Sequence, residues 1–265
     1  GRMELSFAGL SLDKRSVRAP QGFYNSLTNS IVWDKQSLTS LGLLNPRDGG
    51  KVDFSFNVLG LDDLPPGEIE PLNLKATFVG TRQGDNNQET EVVSENSRSL
   101  KISSLARLTA RSLYSVGPFR NTGPLPPRVG EETTYTITLG LANSTNALKS
   151  ARLTADIPSY LRWLGNFSPL DERLIYSQTD SKVVWDIGAI AVTPIDGALS
   201  REVSFQIALT PSLSQVGTSP VLLKNINFSA TDAVTGTPIK LQVNSLDIKI
   251  STDPGFVYTQ GEVIE

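Results

Sequence analysis

The stretch from Ser181 to Leu209, SKVVWDIGAIAVTPIDGALSREVSFQIAL, occurs a second time in looser form from Asn29 to Val58, NSIVWDKQSLTSLGLLNPRDGGKVDFSFNV. Trp33 pairs with Trp185 and Phe54 with Phe205, with one residue of slip, as a loop-length difference between homologous domains produces. The match runs on. ATFVGT against INFSAT pairs Phe78 with Phe228, and Leu100 to Ser103 matches Ile248 to Ser251. Hydrophobic cores usually serve roughly 100–200 residues, so a chain of 265 residues has room for two. The duplication makes that concrete: a first domain over residues 1–104 and a second over 105–265, with a C-terminal tail at 253–265.

Within each copy the apolar residues alternate with polar ones, which places one face of an extended strand on a core and the other in water. Val52, Phe54, Phe56 and Val58 show it, as do Leu72 to Phe78, Tyr135 to Leu141, Leu153 to Ile157 and Val203 to Leu209. Between these runs lie turn formers, among them Pro46 to Gly50, Asp62 to Gly67 and Gly84 to Asn87. Regular short strands with little helical periodicity predict an all-β chain of two tandem immunoglobulin-like antiparallel sandwiches. Cysteine is absent, so no inter-sheet disulfide staples either one.

Residues 105–150 have no counterpart before residue 3. They read as two strands, Leu105 to Ser115 and Thr133 to Leu141, joined by the Pro-rich connection Gly117 to Gly130. The first domain therefore lacks its N-terminal strands, which would leave edge groups unpaired and part of a core open. Three explanations stay open: truncation, a first domain closed in another way, or completion by strands from an upstream domain or a neighbouring subunit. The tail supplies a possible assembly strand, with Phe256, Val257, Tyr258, Val263 and Ile264 available to bury.

In VVWDIG, Val183 and Trp185 point to one face and Val184 and Asp186 to the other. A tryptophan in a sandwich buries ~150–250 Å², so Trp33 and Trp185, with Phe54, Phe78, Phe205 and Phe228, are read as core anchors. Asp34 and Asp186 follow their tryptophans, where a carboxylate can accept backbone N–H bonds from the next turn.

The run GEETTYTITLGLAN (Gly130 to Asn143), then LKSARLTADIP (Leu148 to Pro158), VVWDIGAI (Val183 to Ile190) and REVSFQIALTP (Arg201 to Pro211) resembles a known module. It is similar to the conserved repeat domain of bacterial and archaeal surface proteins called domain of unknown function eleven. Members run G-x-x-x-x-Y-x-I-x-x-x-N, a strand to a D-x-x-P or x-L-P turn, V-x-W-x-I-G, and a v-x-F strand. The likeness is good over residues 105–252 and looser over 3–104, where nothing after Asp34 matches Gly188. GPLPPRVGEETTYTI together with FQIALTPSLSQVG is also similar to long secreted proteins of candidate-phylum bacteria. The resemblance implies an immunoglobulin-like sandwich used in tandem as a structural or adhesive unit of cell envelopes. It carries over no catalytic or binding residue.

Little in the sequence points to chemistry. Histidine is absent, which removes the usual Ser-His, Cys-His and zinc constellations. No phosphate loop, dinucleotide fingerprint or nucleophile elbow occurs. The paired carboxylates Asp62-Asp63, Glu131-Glu132 and Asp171-Glu172 read as solvated turns. Gly84 to Asn87 and Asp232 to Gly236 read as turns rather than calcium loops. Tyr24, Tyr160, Trp163, Phe167 and Tyr176 are candidates for glycan contact, with Trp163 the best of them and core capping its alternative. Asn143, Asn166 and Asn227 begin triplets of the glycosylation-acceptor form.

A net charge of −3 gives no broad attraction to nucleic acid or anionic membranes, and no apolar run is long enough to span a bilayer. The chain is therefore expected to be a non-catalytic structural module of an extracellular surface protein: a spacer, stalk, surface-layer or filament subunit without cofactor or metal. Its expected partners are itself or neighbouring domains. A carbohydrate-binding or adhesive module is the alternative, with glycans as ligand.

Overall fold

Alternating apolar residues become β-strands throughout, in a computed structural model that describes every residue except 46, 61–62, 65–69, 85, 87, 144, 193–198 and 200. The turn residues Pro46, Asp62 and Pro65 to Gly67, Asp85 and Asn87, and Ser144 of the Asn143 triplet lie outside the described residues. The chain divides into two units, Gly1–Ile102 and Ser103–Glu265. Among the described residues all regular structure is strand or short 3₁₀ turn, and all strand pairing within the sheets is antiparallel.

Unit 1 contains β1 (Arg2–Ala8), β2 (Leu12–Arg18), β3 (Phe23–Asn25), β4 (Ser30–Asp34), β5 (Ser55–Val58), β6 (Leu72–Gln83) and β7 (Glu89–Leu100). One sheet runs in the order β3-β4-β1-β6-β7, and β2 pairs with β5 alone. Unit 2 contains β8 (Ala106–Leu113), β9 (Thr133–Asn143), β10 (Leu148–Asp156), β11 (Leu161–Ser168), β12 (Arg173–Ser177) and β13 (Lys182–Ile190). It continues with β14 (Arg201–Leu209), β15 (Val221–Asp232), β16 (Pro238–Val243) and β17 (Leu246–Asp247). Its sheets run β12-β13-β10-β15-β16, with β17 on β15, and β11-β14-β9-β8.

The two larger sheets are the same sheet twice. Met3 lies opposite Trp33 on one side and Phe78 on the other, and Leu153 lies opposite Trp185 and Phe228. The hairpin entering each tryptophan strand also repeats, with Asn29 (φ 49°) and Ser181 (φ 51°) in the left-handed region. Asparagine tolerates that conformation and serine does so less readily. The second motif departs from the first at Gly188 because β13 outruns β4. It continues to Ile190 past an irregularity in its pairing with β10, where Gly188 (φ 75°) faces Ala151.

Unit 2 encloses its core between two sheets, with Tyr135, Ile137 and Phe205 from one and Leu153, Trp185 and Phe228 from the other. Unit 1 has a smaller core of Leu5, Phe7, Leu12, Val17, Ile31, Trp33, Leu41, Leu72 and Leu74. The difference follows from topology. β2 and β5 occupy the places of β11 and β14, and among the described residues nothing in unit 1 occupies those of β9 and β8.

The two indoles are accommodated differently. Leu174 stands opposite Trp185, whereas the residue preceding Phe23, which faces Val32, is Gly22. A Cβ at Gly22 would lie 2.6 Å from Trp33 Nε1 and 2.8 Å from Ile31 Cγ2, so the ring lies across the glycine. We expect Gly22→Ala to destabilise unit 1 by about 1–3 kcal/mol, the usual cost of overpacking. Hydrogen exchange should accelerate in β1, β3 and β4 and stay unchanged in β13. Ser181→Asn should stabilise unit 2 by about 0.5–1 kcal/mol by relieving left-handed strain, read from its denaturant midpoint.

Candidate assembly edge

Strand β5 is far less enclosed than its counterpart β14. It pairs with β2 through Leu12 and Val58, Asp13 and Asn57, and Arg18 and Ser55. Its counterpart β14 pairs with β11 on one side and along its whole length with β9 on the other, from Arg201 opposite Leu141 to Leu209 opposite Thr133. From Val203 to Leu209 every residue of β14 is buried, whereas β5 has only Phe56 half-buried.

Of the six residues read as core anchors, Trp33, Trp185, Phe205 and Phe228 are buried at 0, 0, 0 and 2% exposure. Phe78 is half-buried against the unit 1 core. Phe54 departs from its expected place, being 37% exposed and one residue ahead of β5. The turns after β2 and β11 explain the slip. Gly22 N–H donates to Ala19 and Glu172 N–H to Pro169, which aligns Arg18 with Ser168. Ser55 faces Arg18 as Ser204 faces Ser168, so Phe56 and not Phe54 holds the position of Phe205. The two rings stack at 6.3 Å, Phe56 meets Phe7 edge-on at 5.4 Å, and Phe54 leans on Trp33 at 6.5 Å. This aromatic group roofs the core beside the unpaired edge.

The tail does not serve as a free assembly strand, because its own unit holds it. Val263 is buried, its N–H donates to Thr218 and its carbonyl accepts from Gly217, while Ile264 N–H donates to Pro127. Phe256 packs against the unit 2 core. Val257 and Tyr258 are exposed. The buried Asp253 carboxylate clasps the end of β8, accepting from Tyr114 N–H (2.7 Å), Ser115 N–H (2.8 Å) and the Ser115 hydroxyl.

A second correction concerns Glu172, which is not solvated. The turn before β3 ends at Gly22, next to Phe23 and so opposite Trp33, whereas the equivalent turn before β12 ends at Glu172, two residues ahead of Leu174, which stands opposite Trp185; from there the Glu172 side chain turns inward. Its carboxylate accepts from Trp185 Nε1 (2.7 Å) and from Arg201 Nε (2.7 Å) and a second guanidinium nitrogen (2.6 Å). Trp33 Nε1, by contrast, has no partner among the described residues.

Four other carboxylates singled out in the sequence have protein partners. Asp232 is buried and accepts from Ser104 N–H, Asn146 Nδ2, Val234 N–H and Thr235 N–H at 2.7–2.9 Å. Glu132 forms an exposed fork with Arg162. Asp34 accepts from Gln36 and Ser37 N–H at 2.9 Å, as its turn position predicts, but Asp186 lies within β13, 4.0 Å from Arg173. Among the described residues no cluster of three acidic side chains could hold a metal.

Trp163 stacks on Tyr176 at 5.1 Å and touches Phe205 at 5.0 Å, capping the unit 2 core. Tyr24 and Phe167 are half-buried, and the exposed Tyr160 ties its hydroxyl to Val221 O (2.7 Å). Asn143 is buried, whereas Asn166 and Asn227 are exposed. A shallow depression of about 380 Å³ on unit 2 is lined by polar groups of Arg152, Thr154, Asn227, Ser229, Lys240 and Gln242.

No family model and no curated protein matches the chain. Among solved structures it is similar to the C-terminal domain of AspA, an antigen I/II-family protein of Streptococcus pyogenes. The TM-score is 0.33 at 10% identity, covering 93% of this chain and 84% of that one. It is also similar to a DUF4466 family protein from Parabacteroides merdae, with a TM-score of 0.20 at 12% identity over 52% of this chain and 44% of that one. Likeness at that level carries no functional information. Among the described residues no helix is long and apolar enough to cross a membrane.

Burial pushes the carboxyls of Glu172, Asp232 and Asp253 up, and their hydrogen bonds outweigh it, holding all three below the usual carboxylate range. A group whose folded pKa is depressed stabilises the fold above its unfolded value, about 4, and loses that contribution as pH falls through the folded value. Unit 2 should therefore keep constant stability from about pH 7 to 5 and lose it progressively below about pH 4. Glu172→Ala, which leaves the Trp185 N–H without an acceptor and Arg201 without its partner, should cost about 1–3 kcal/mol at pH 7 and less as pH falls, read from urea midpoints.

Proposed function

We propose that this chain is a non-catalytic structural module of an extracellular surface protein, built of two immunoglobulin-like sandwiches in tandem. The observation that carries the reading is the duplicated sheet with one copy left open at β5 among the described residues. Repetition of a unit is how a chain gains length and reach, and an unpaired edge is how one sandwich joins another. Supporting it, the buried carboxylates of Asp232, Asp253 and Glu172 are turned to holding the fold rather than converging on a cleft. The resemblance to the repeat domain of bacterial and archaeal surface proteins points the same way.

The glycan-binding alternative has less behind it. Among the aromatic residues proposed for it only Tyr160 is exposed, and the depression on unit 2 offers no exposed ring, its Phe228 being buried. Antibodies raised against residues 1–265 should label intact cells of the source organism, and brief protease treatment of those cells should remove the label. Label found only after lysis, in the cytosolic fraction, would overturn the proposal.

A further inference from the structure

We infer that the outer edge of β5 is an acceptor for one antiparallel strand of β9's chemistry, supplied from outside residues 1–265. The inference deepens the structural-module reading and rests on it for its biological setting.

The acceptor groups can be identified. Asn57 N–H donates to Ser16 Oγ (2.6 Å) and Leu59 N–H to Ser11 O (2.8 Å), so these two donors face β2. Successive amides in a strand point to opposite sides, which sends the N–H groups of Phe56 and Val58 outward. Among the described residues no strand meets them there.

Unit 2 shows what fits. On the equivalent edge of β14 lies β9, whose Tyr135, Ile137, Leu139 and Leu141 alternate into the core at 0–1% exposure. The residues a like strand would cover in unit 1 are apolar and half-covered already, namely Met3, Val52, Phe56, Ala76 and Phe78.

The face of β7 limits the guest to one strand. In unit 2 the residues opposite Ile226, Phe228 and Ala230 are Val243, Leu241 and Ile239, which pack on the core beside β8. In unit 1 the equivalent positions Ala76, Phe78 and Gly80 face Asn96, Ser94 and Val92, and all of β7 is exposed. A β8-like strand would meet a mostly polar face there and bury little of use. The acceptor therefore takes a partner for β5 and leaves β7 in water, which distinguishes it from a sandwich that has simply lost a pair of strands.

The test uses the whole chain and a synthetic peptide of residues 131–143, the β9 sequence itself. Titration should show saturable one-to-one binding, with exchange at the Phe56 and Val58 amides slowed by about ten-fold or more and β14 unaffected. A peptide with Ile137→Asp and Leu139→Asp should not bind. Val58→Pro removes an outward donor and spares the bonds to β2, so it should fold and lose binding. A longer peptide of residues 105–143 should bind within about three-fold of the short one, since the added strand finds a mostly polar face. Four results would overturn the inference: no protection at β5, protection confined to unit 2, tighter capture of the longer peptide by ten-fold or more, or self-association through β5 that excludes the peptide. Peptide capture by a protein confined to the cytosol would remove the surface role and leave the acceptor standing. Surface display without capture would do the reverse.

Discussion

A tryptophan at the centre of a sheet must fill a large volume and also dispose of one N–H, and this chain solves that problem twice. In both copies the indole strand lies beside the central strand, with Met3 or Leu153 between the indole residue and a phenylalanine on the far side. That cross-strand trio sets the register of the larger sheet in each unit, and a one-residue slip would turn the anchors out into water. The two solutions then diverge. In unit 2 a longer hairpin brings Glu172 to the N–H and Arg201 to Glu172. In unit 1 the ring lies over Gly22, which has no side chain to compete for the space. The glycine costs backbone order and a hydrogen bond is forgone, but no charge has to be buried.

This divergence extends to how each unit is closed. Unit 2 is clasped by three buried carboxylates, one under its tryptophan, one holding the entry at Ser104 and the turn after β15, and one holding the tail to the end of β8. Each gathers donors from segments distant in sequence, so each ties loops that the sheets alone would not fix. Among the described residues, unit 1 has no buried carboxylate of this kind, and its ion pairs are exposed ones such as Lys51 with Asp53 and Lys75 with Glu95. Exposed pairs of that sort contribute little. The cohesion of unit 1 rests on apolar packing, and its aromatic roof of Phe54 and Phe56 is where that packing ends.

Much of the architecture was legible because strand periodicity and duplication are properties of the chain alone. Alternation located the strands, and registering one copy on the other left β8 and β9 without counterparts, as do the sheet orders among the described residues. What could not be read depended on loop geometry. Phe54 and Phe56 satisfy the same alternation, and only the turn after β2 decides which of them faces the core. The pair Asp171-Glu172 reads as a solvated turn and does lie in one, but nothing in the pair itself tells that the turn folds Glu172 inward. The tail was apolar enough to be a donor strand, and its sequence carried no sign that Asp253 would fasten it in place. A signal for Glu172 did exist: the extra length between the two aligned turns and their tryptophans, which insertion of a side chain into the core would require.

The position of β1 has a mechanical consequence. It lies in the middle of its sheet, hydrogen-bonded to β4 along one side and to β6 from Arg2 to Ala8 along the other. Tension applied to the chain at residue 1, along the axis of that strand, would load both ladders in shear at once instead of peeling bonds apart one by one.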